Sequence, residues 1–221
     1  MKINQPGLPE IEELKNYVNL ITNQTIIIPK NIVEIGGATG DDSNYFAEIF
    51  NISPNNVFII EPHPEEQKNI AHNYPQYNLI RCAIFNENKN VKFNCSVAAG
   101  TSSVLDRYDN FYHENYTEII DVSAFTGKKI MEDYNIEEID ICQIDVEGAA
   151  YEALKSFKES IKKIKSIHIE CEHRQIWQNQ KLYADVKKLL EENDFKQLYF
   201  RFINNIVSQS ESIWINKKFL K

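Results

Sequence analysis

Three short clusters of carboxylates and glycines hold the residues of this chain that could do chemistry. Residues 32–40 read Ile-Val-Glu-Ile-Gly-Gly-Ala-Thr-Gly, an apolar run of strand length ending in a glycine-rich turn. Residues 57–62 read Val-Phe-Ile-Ile-Glu-Pro, a second such run ending in an acid. Residues 139–148 read Ile-Asp-Ile-Cys-Gln-Ile-Asp-Val-Glu-Gly, where two carboxylates flank a valine as a third run ends. The first two are the halves of a nucleoside-binding crevice. The turn offers backbone amides to a polar tail, and Glu61 offers a carboxylate to ribose hydroxyls.

Glycine spacing selects the nucleoside. A dinucleotide fingerprint needs three glycines at G-x-G-x-x-G so that backbone can approach a pyrophosphate. Aligned on Gly37 and Gly40, this chain has Ile35 at the first position. Glu34 ends the apolar run close to where phosphates would lie, a poor neighbour for a diphosphate and a good one for a cation. S-adenosylmethionine carries an ammonium, a sulfonium and a ribose and no phosphate, so the pattern suits it. The expected cofactor contacts are Glu34, Gly36, Gly37, Gly40, Asn44, Glu61, Pro62, Ala83 and Asp145.

Asp145 and Glu147 are candidates for general base, metal ligand or holder of substrate hydroxyls. The alternative is that Asp145 caps the helix that follows. Glu170, Glu172 and His173 form a similar group at the end of a later strand. Strand carboxylates are rarely inward unless paired or functional, and a histidine pKa suits proton removal from a hydroxyl. Asp145 is the first candidate base and His173 the second, with Glu147 beside them. Asp145, Glu147 and Glu170 could hold a magnesium through oxygen ligands. Ser102, Ser103, Glu170, Glu172 and Trp177 are expected to meet the acceptor. Trp177 either stacks on a ring or anchors its loop. The histidines show no metal-ligand spacing, and no metal site is assigned.

These residues need elements to position them. Apolar runs alternate with helix-like segments almost throughout, which predicts an α/β fold with a mainly parallel sheet. A leading amphipathic helix spans 9–21, with Ile11, Leu14, Val18 and Ile21 on one face. Strands are expected at 31–36, 57–61, 78–85, 139–145, 165–172, 196–203 and 212–216, with 90–95 a hairpin partner of the third and 118–123 extended. The helix after Asp41 and Asp42 should turn Phe46, Ile49 and Phe50 inward. Further helices are expected after Pro64, at 127–135, after Gly148 and at 183–193. Ligands of such sheets bind beyond the carboxyl ends of the strands, where all three clusters fall. From Ser96 to Tyr116 periodicity disappears. A loop of this length, carrying Tyr108, Phe111 and Tyr112, is often functional, so 96–117 is expected to be an active-site loop. Residues 1–30 are expected to be a helical lead-in to a single domain over 1–221.

Composition narrows the class. The chain has 221 residues, 43% hydrophobic and 25% charged, ordinary for one soluble domain. The net charge of −8 argues against a nucleic-acid platform, which needs clustered Lys and Arg. No stretch reaches the length of a membrane span and no leader opens the chain. Cys82, Cys95, Cys142 and Cys171 form no C-x-x-C pair, which reads as reduced thiols in a cytoplasmic protein.

The three clusters, with Arg81-Cys-Ala-Ile84 and Gly100-Thr-Ser-Ser103, resemble the FkbM family of S-adenosylmethionine-dependent methyltransferases, of the seven-stranded Rossmann-like class. The resemblance runs from about residue 30 to the C-terminus, and Asp145-Val-Glu-Gly148 after a Glu61-Pro62 strand is its most specific part. The chain differs from the family pattern at Glu34, usually Asp, Ala38, usually Asn, Gln143, usually Lys, and Ala150, usually Glu. The resemblance implies an O-methyltransferase acting on a hydroxyl of a sugar, glycan or other natural product. The alternatives are a methyltransferase of a macromolecule such as RNA, or a non-catalytic cofactor-binding scaffold.

Overall fold

The computed structural model describes residues 8–96, 100–108, 116–203 and 208–221. Helix α1 (Leu8–Gln24) leads into strand β1 (Ile32–Ile35), helix α2 (Asp41–Phe50), strand β2 (Val57–Ile60), helix α3 (Pro64–Asn73) and strand β3 (Asn78–Ile80). Strands β4 (Ala83–Ile84), β5 (Lys89–Ser96) and β6 (Tyr116–Phe125) precede helix α4 (Gly127–Asp133). The chain continues through β7 (Ile141–Ile144), α5 (Ala150–Ser156), β8 (Ser166–Glu172), α6 (Tyr183–Glu192), β9 (Phe195–Phe202) and β10 (Gln209–Asn216).

Seven strands form the central sheet in the order β3-β2-β1-β7-β8-β10-β9. Every pair is parallel except those of β10, which runs against β8 and β9. Both faces of the central strands are covered, so β1 and β7 are buried at every position and read as continuous apolar runs rather than alternating ones. The chain winds outward from β1 in one direction and from β7 in the other. The crevice between their carboxyl ends is therefore the topological switch point where such sheets take ligands.

The α/β reading with a seven-stranded, mainly parallel sheet matches this architecture, and three local expectations do not. Residues 90–95 do not pair with the third strand. They lie in β5, which pairs antiparallel with β6 in a separate three-stranded sheet of order β4-β6-β5. The expected strand at 78–85 is split between the two sheets, with Ala83 and Ile84 paired to Ala124 and Phe125. Ile49 is 52% exposed although its helix mate Phe46 is fully buried. Leu14, Tyr17 and Ile21 seal α1 onto the sheet, with Val18 packed at the edge; the Ile11 side chain lies outside the described residues. All four cysteines are buried free thiols. No helix among the described residues is long and apolar enough to cross a membrane.

Candidate active site

The glycine turn is built by close backbone approach. Gly36 has φ +82°, and a Cβ there would lie 1.7 Å from the carbonyl oxygen of Asp145. The Gly36 N–H donates to Ile60 O at 3.0 Å, and Asp145 N–H donates to Ile35 O at 2.9 Å. The turn is thus laced to β2 on one side and to the Asp145 strand end on the other. A Cβ on Gly37 would meet Ile59 at 2.2 Å. Gly40, with φ +79°, begins α2. Ala38 sits among these glycines with φ 37°, where a Cβ is strained. Replacing Ala38 by Gly is expected to raise stability by up to about 1 kcal/mol, read as a higher denaturation midpoint; a lower midpoint would contradict the strain.

Glu61 closes the turn from the opposite side. Its Oε2 accepts the Ala38 N–H at 2.9 Å and its Oε1 accepts the His63 N–H at 2.7 Å. Burial pushes its carboxyl up to about 7, against the pull of those two amides. Glu34 lies below the turn, buried, with Oε2 lacking a hydrogen-bond partner. Burial and then the nearby Asp42 hold its carboxyl well above the usual range.

One cleft is lined by Gly36, Ala38, Glu61, Pro62 and Ala83 together with Ser102, Ser103 and Asp145. The structure therefore brings together the turn, the acid after β2, the start of β4, the serine loop and the Asp145 strand end. Ser103 donates its hydroxyl to Glu147 O at 2.6 Å, and Ser102 Oγ accepts the Ser96 N–H at 2.9 Å. Gly100 and Val104 line the same wall, so the described part of the 96–117 loop borders the cleft. Phe111 and Tyr112 lie outside the described residues.

Asp145 is exposed to solvent at the cleft. Desolvation by the neighbouring protein, and then the negative Glu211, Glu172 and Asp42, push its carboxyl up to about 8, while His168 pulls it down. Carboxylate oxygens of Asp145, Glu147 and Glu170 lie within 4.8 Å of one another, a donor set of the kind a hard cation takes. Glu147 has φ 39° and Gly148 φ 86°, so the strand exits through two successive left-handed residues. Such strain collects at functional sites. Glu170 accepts from Gln209 Nε2 at 2.6 Å. Glu172 is buried, and burial raises its carboxyl to about 7.

Three expected site residues are placed elsewhere. Asn44 is engaged on the outer face of α2, accepting from Tyr77 OH at 2.9 Å and donating to Glu48 at 3.0 Å. His173 turns away from the cleft. Its ring stacks on Tyr183 at 4.7 Å, meets Phe202 at 4.9 Å and bonds Ser210 Oγ at 2.8 Å. Burial lowers its pKa. Trp177 is fully buried, with Gly148 against one edge and the Arg107 guanidinium 4.5 Å from its ring centre, so it anchors its loop and offers no face to an acceptor. Conversely, His63, Glu66, Phe93 and Val146 also line the cleft. No spacing in the sequence marks Phe93, because it arrives on the second sheet.

Comparison with known proteins agrees with this geometry. Residues 26–197, well over half of the chain, match the methyltransferase FkbM domain. No curated protein sequence matches significantly. Methyltransferase FkbM from Methylobacillus flagellatus superposes with a TM-score of 0.52 at 13% identity, over 84% of this chain and 44% of that one. This chain thus spans less than half the length of that protein. TrmK of M. capricolum, solved with S-adenosyl-homocysteine, gives 0.51 at 14% identity over 94% and 69%. Streptococcus pneumoniae Sp1610, a candidate tRNA (m1A22) methyltransferase, gives 0.52 at 10% identity over 96% and 71%. At these identities the superpositions speak for the fold, and the domain match speaks for the family: the chain belongs to the FkbM methyltransferases.

Proposed function

We propose that this chain binds S-adenosylmethionine in the cleft at the β1–β7 switch point and transfers its methyl group to a hydroxyl, of a sugar or glycan, with Asp145 as the base. The observation that carries the reading is the carboxylate of Glu61. It is clamped by the Ala38 and His63 amides at the cleft wall, which fixes an acceptor for ribose hydroxyls beside a turn too close-packed to be anything but backbone. The cofactor fits the residues present in a second respect. Glu34 places a buried carboxyl under the turn, whose charged form an ammonium would favour and a phosphate would disfavour.

When bound, the cofactor supplies an electrophilic methyl on a sulfonium. The residues of this chain orient the acceptor and take its proton. Ser102 offers a hydroxyl at the cleft wall, Ser103 spends its own in holding the Glu147 carbonyl, and Glu147 and Glu170 offer acceptors beside Asp145. Holding the acceptor oxygen in line provides much of the acceleration of such a displacement, and the base removes the hydroxyl proton as it becomes acidic. The acidic rim favours a neutral polyol over a polyphosphate backbone, which a chain of net charge −8 would repel. That argues for the sugar over the RNA reading.

Glu61→Ala is expected to weaken S-adenosylmethionine binding by roughly ten- to a hundredfold in calorimetry, the ~1.5–3 kcal/mol of hydrogen bonds to a charged group. Unchanged affinity in a folded variant would remove Glu61 from the site. The acceptor class is tested by offering nucleotide-sugars, glycans, small alcohols and RNA with methyl-labelled cofactor. Label in RNA and in no sugar would replace the acceptor proposed here.

A further inference from the structure

Side chains fix where α1 lies on β8. Tyr17 gives its hydroxyl to Ser166 at 2.7 Å, and its ring lies 5.7 Å from that of His168, two residues further along the same strand face. Glu13 stands one helical turn before Tyr17 and points at the same region of the sheet. On β10, which pairs antiparallel with β8, Glu211 is opposite Glu170 and so shares the face of His168. Its Oε2 lies 3.0 Å from His168 Nε2. Three elements distant in sequence thus bring one donor atom each from Glu13, His168 and Glu211 within 4.8 Å of one another. Glu13 and His168 are each 5% exposed. No spacing along the chain marks this set.

The imidazole is held from behind. Asp42 accepts from the Gln143 side-chain amide, which leaves the amide oxygen for His168 Nδ1, 3.1 Å away. Nδ1 carries a hydrogen and donates it there. Nε2 faces the two carboxylates and makes no hydrogen bond among the described residues. Metal-ligating histidines are arranged in this way, with one ring N–H spent on a fixed acceptor and the other nitrogen left for the ion. A buried nitrogen aimed at two carboxylates is otherwise unfavourable, because buried polar atoms need partners. Charge agrees with geometry. Asp42 and Asp145 also act on the imidazole, from α2 and β7. Arg201 of β9 is paired to Glu13, with its side chain 35% exposed at the rim. Its single charge offsets one of the two that Glu13 and Glu211 carry when ionised.

We infer that Glu13, His168 and Glu211 form a metal site in which one divalent transition ion, of which zinc is the best match, ties α1 to β8 and β10. An imidazole nitrogen with two carboxylates suits zinc better than magnesium or calcium, which take oxygen donors. Zinc holds such donors at ~2.0–2.2 Å, so its ligands stand roughly 3–4 Å apart. The 3.0 Å between His168 Nε2 and Glu211 Oε2 is close to that edge. Water or a second carboxylate oxygen completes the shell. Arg201 holds Glu13 in place, as outer partners of metal ligands do. The set shares no residue with the carboxylates of Asp145, Glu147 and Glu170. Its role is therefore structural and does not depend on the methyl-transfer reading.

The test titrates zinc into the full chain, stripped with chelator and freed of any histidine tag, in a calorimeter. Binding is expected to saturate at about one ion per chain and to weaken by roughly tenfold or more in His168→Gln and in Glu211→Gln. Glu147→Gln should bind zinc as the wild type does, which separates this site from the carboxylates at the cleft. Zinc at about a hundredfold excess over its Kd should raise the thermal midpoint by about 5–10 °C, and His168→Gln should lose that rise. Nitrogen NMR should place the ion on Nε2 of His168 with Nδ1 still protonated. If His168→Gln does not fold, Glu211→Gln carries the comparison. Three results would each overturn the inference: no saturable binding, affinity unchanged in the folded variants, or binding lost in Glu147→Gln instead. In the first case a proton rather than a metal lies between His168 and Glu211.

Discussion

Asp145→Asn is expected to keep cofactor affinity and lose turnover by ~10²–10⁴, the usual contribution of a positioned base. The substitution preserves volume, and the backbone bonds of this residue, to Ile35 through N–H and against Gly36 through its carbonyl, do not involve the side chain. The loss would therefore be chemical rather than structural. The pH dependence sharpens the test. In the free protein desolvation and the surrounding carboxylates raise the Asp145 carboxyl to about 8, which favours its protonated form, unable to accept, at neutral pH. The kcat/KM profile, which reports the free enzyme, should climb through neutral pH and level above about 8. A bound sulfonium adds a positive charge and favours the carboxylate, so the limb in kcat should lie lower. Wild-type turnover by Asp145→Asn, or a profile flat from pH 6 to 9, would take the base role away from this residue.

The parts of the molecule legible in the sequence were those set by local pattern. Apolar runs bounded by Gly36 and Glu61 can only be buried strands with polar ends, and the parallel sheet carries both ends to one edge. Asp145 and Glu147 follow from the same logic, since a third such strand must end on that edge. What local pattern could not carry is the direction of a side chain once the strand has ended. His173 follows Glu172 directly, but its ring is captured by Tyr183 and Phe202, partners from 10 and 29 residues away. Asn44 looks like a cofactor contact from its closeness to Gly40, yet four residues of helix carry it to the outer face and to Tyr77. The second sheet was missed because β4 has two residues and takes its register from β6, 41 residues further on.

Trp177 illustrates the same point with the second large expected effect. An exposed tryptophan at this position would contribute uniform binding to an acceptor, and its loss would raise KM. The structure places it at 0% exposure, so its loss should be felt in folding. Trp177→Ala is expected to destabilise the protein by ~3–5 kcal/mol, as large-to-small changes at buried aromatics do, read from the shift of a denaturant midpoint. Part of that loss is specific. The Arg107 guanidinium 4.5 Å from the ring centre would be left over a void. The backbone pairing of the two loops, Tyr108 N–H to Ile176 O at 3.1 Å and Gln178 N–H to Asp106 O at 2.7 Å, would lose the side chain that clamps it. The fit is tight enough that a Cβ on Gly148 would come within 2.3 Å of the indole, so the ring also sets how the chain leaves Asp145 and Glu147. Trp177→Phe should retain most of the stability, because a ring still fills the gap. If Trp177→Ala unfolds within 1 kcal/mol of wild type and instead raises KM for an acceptor, the residue is a binding surface after all, and the loop that holds it must open in solution.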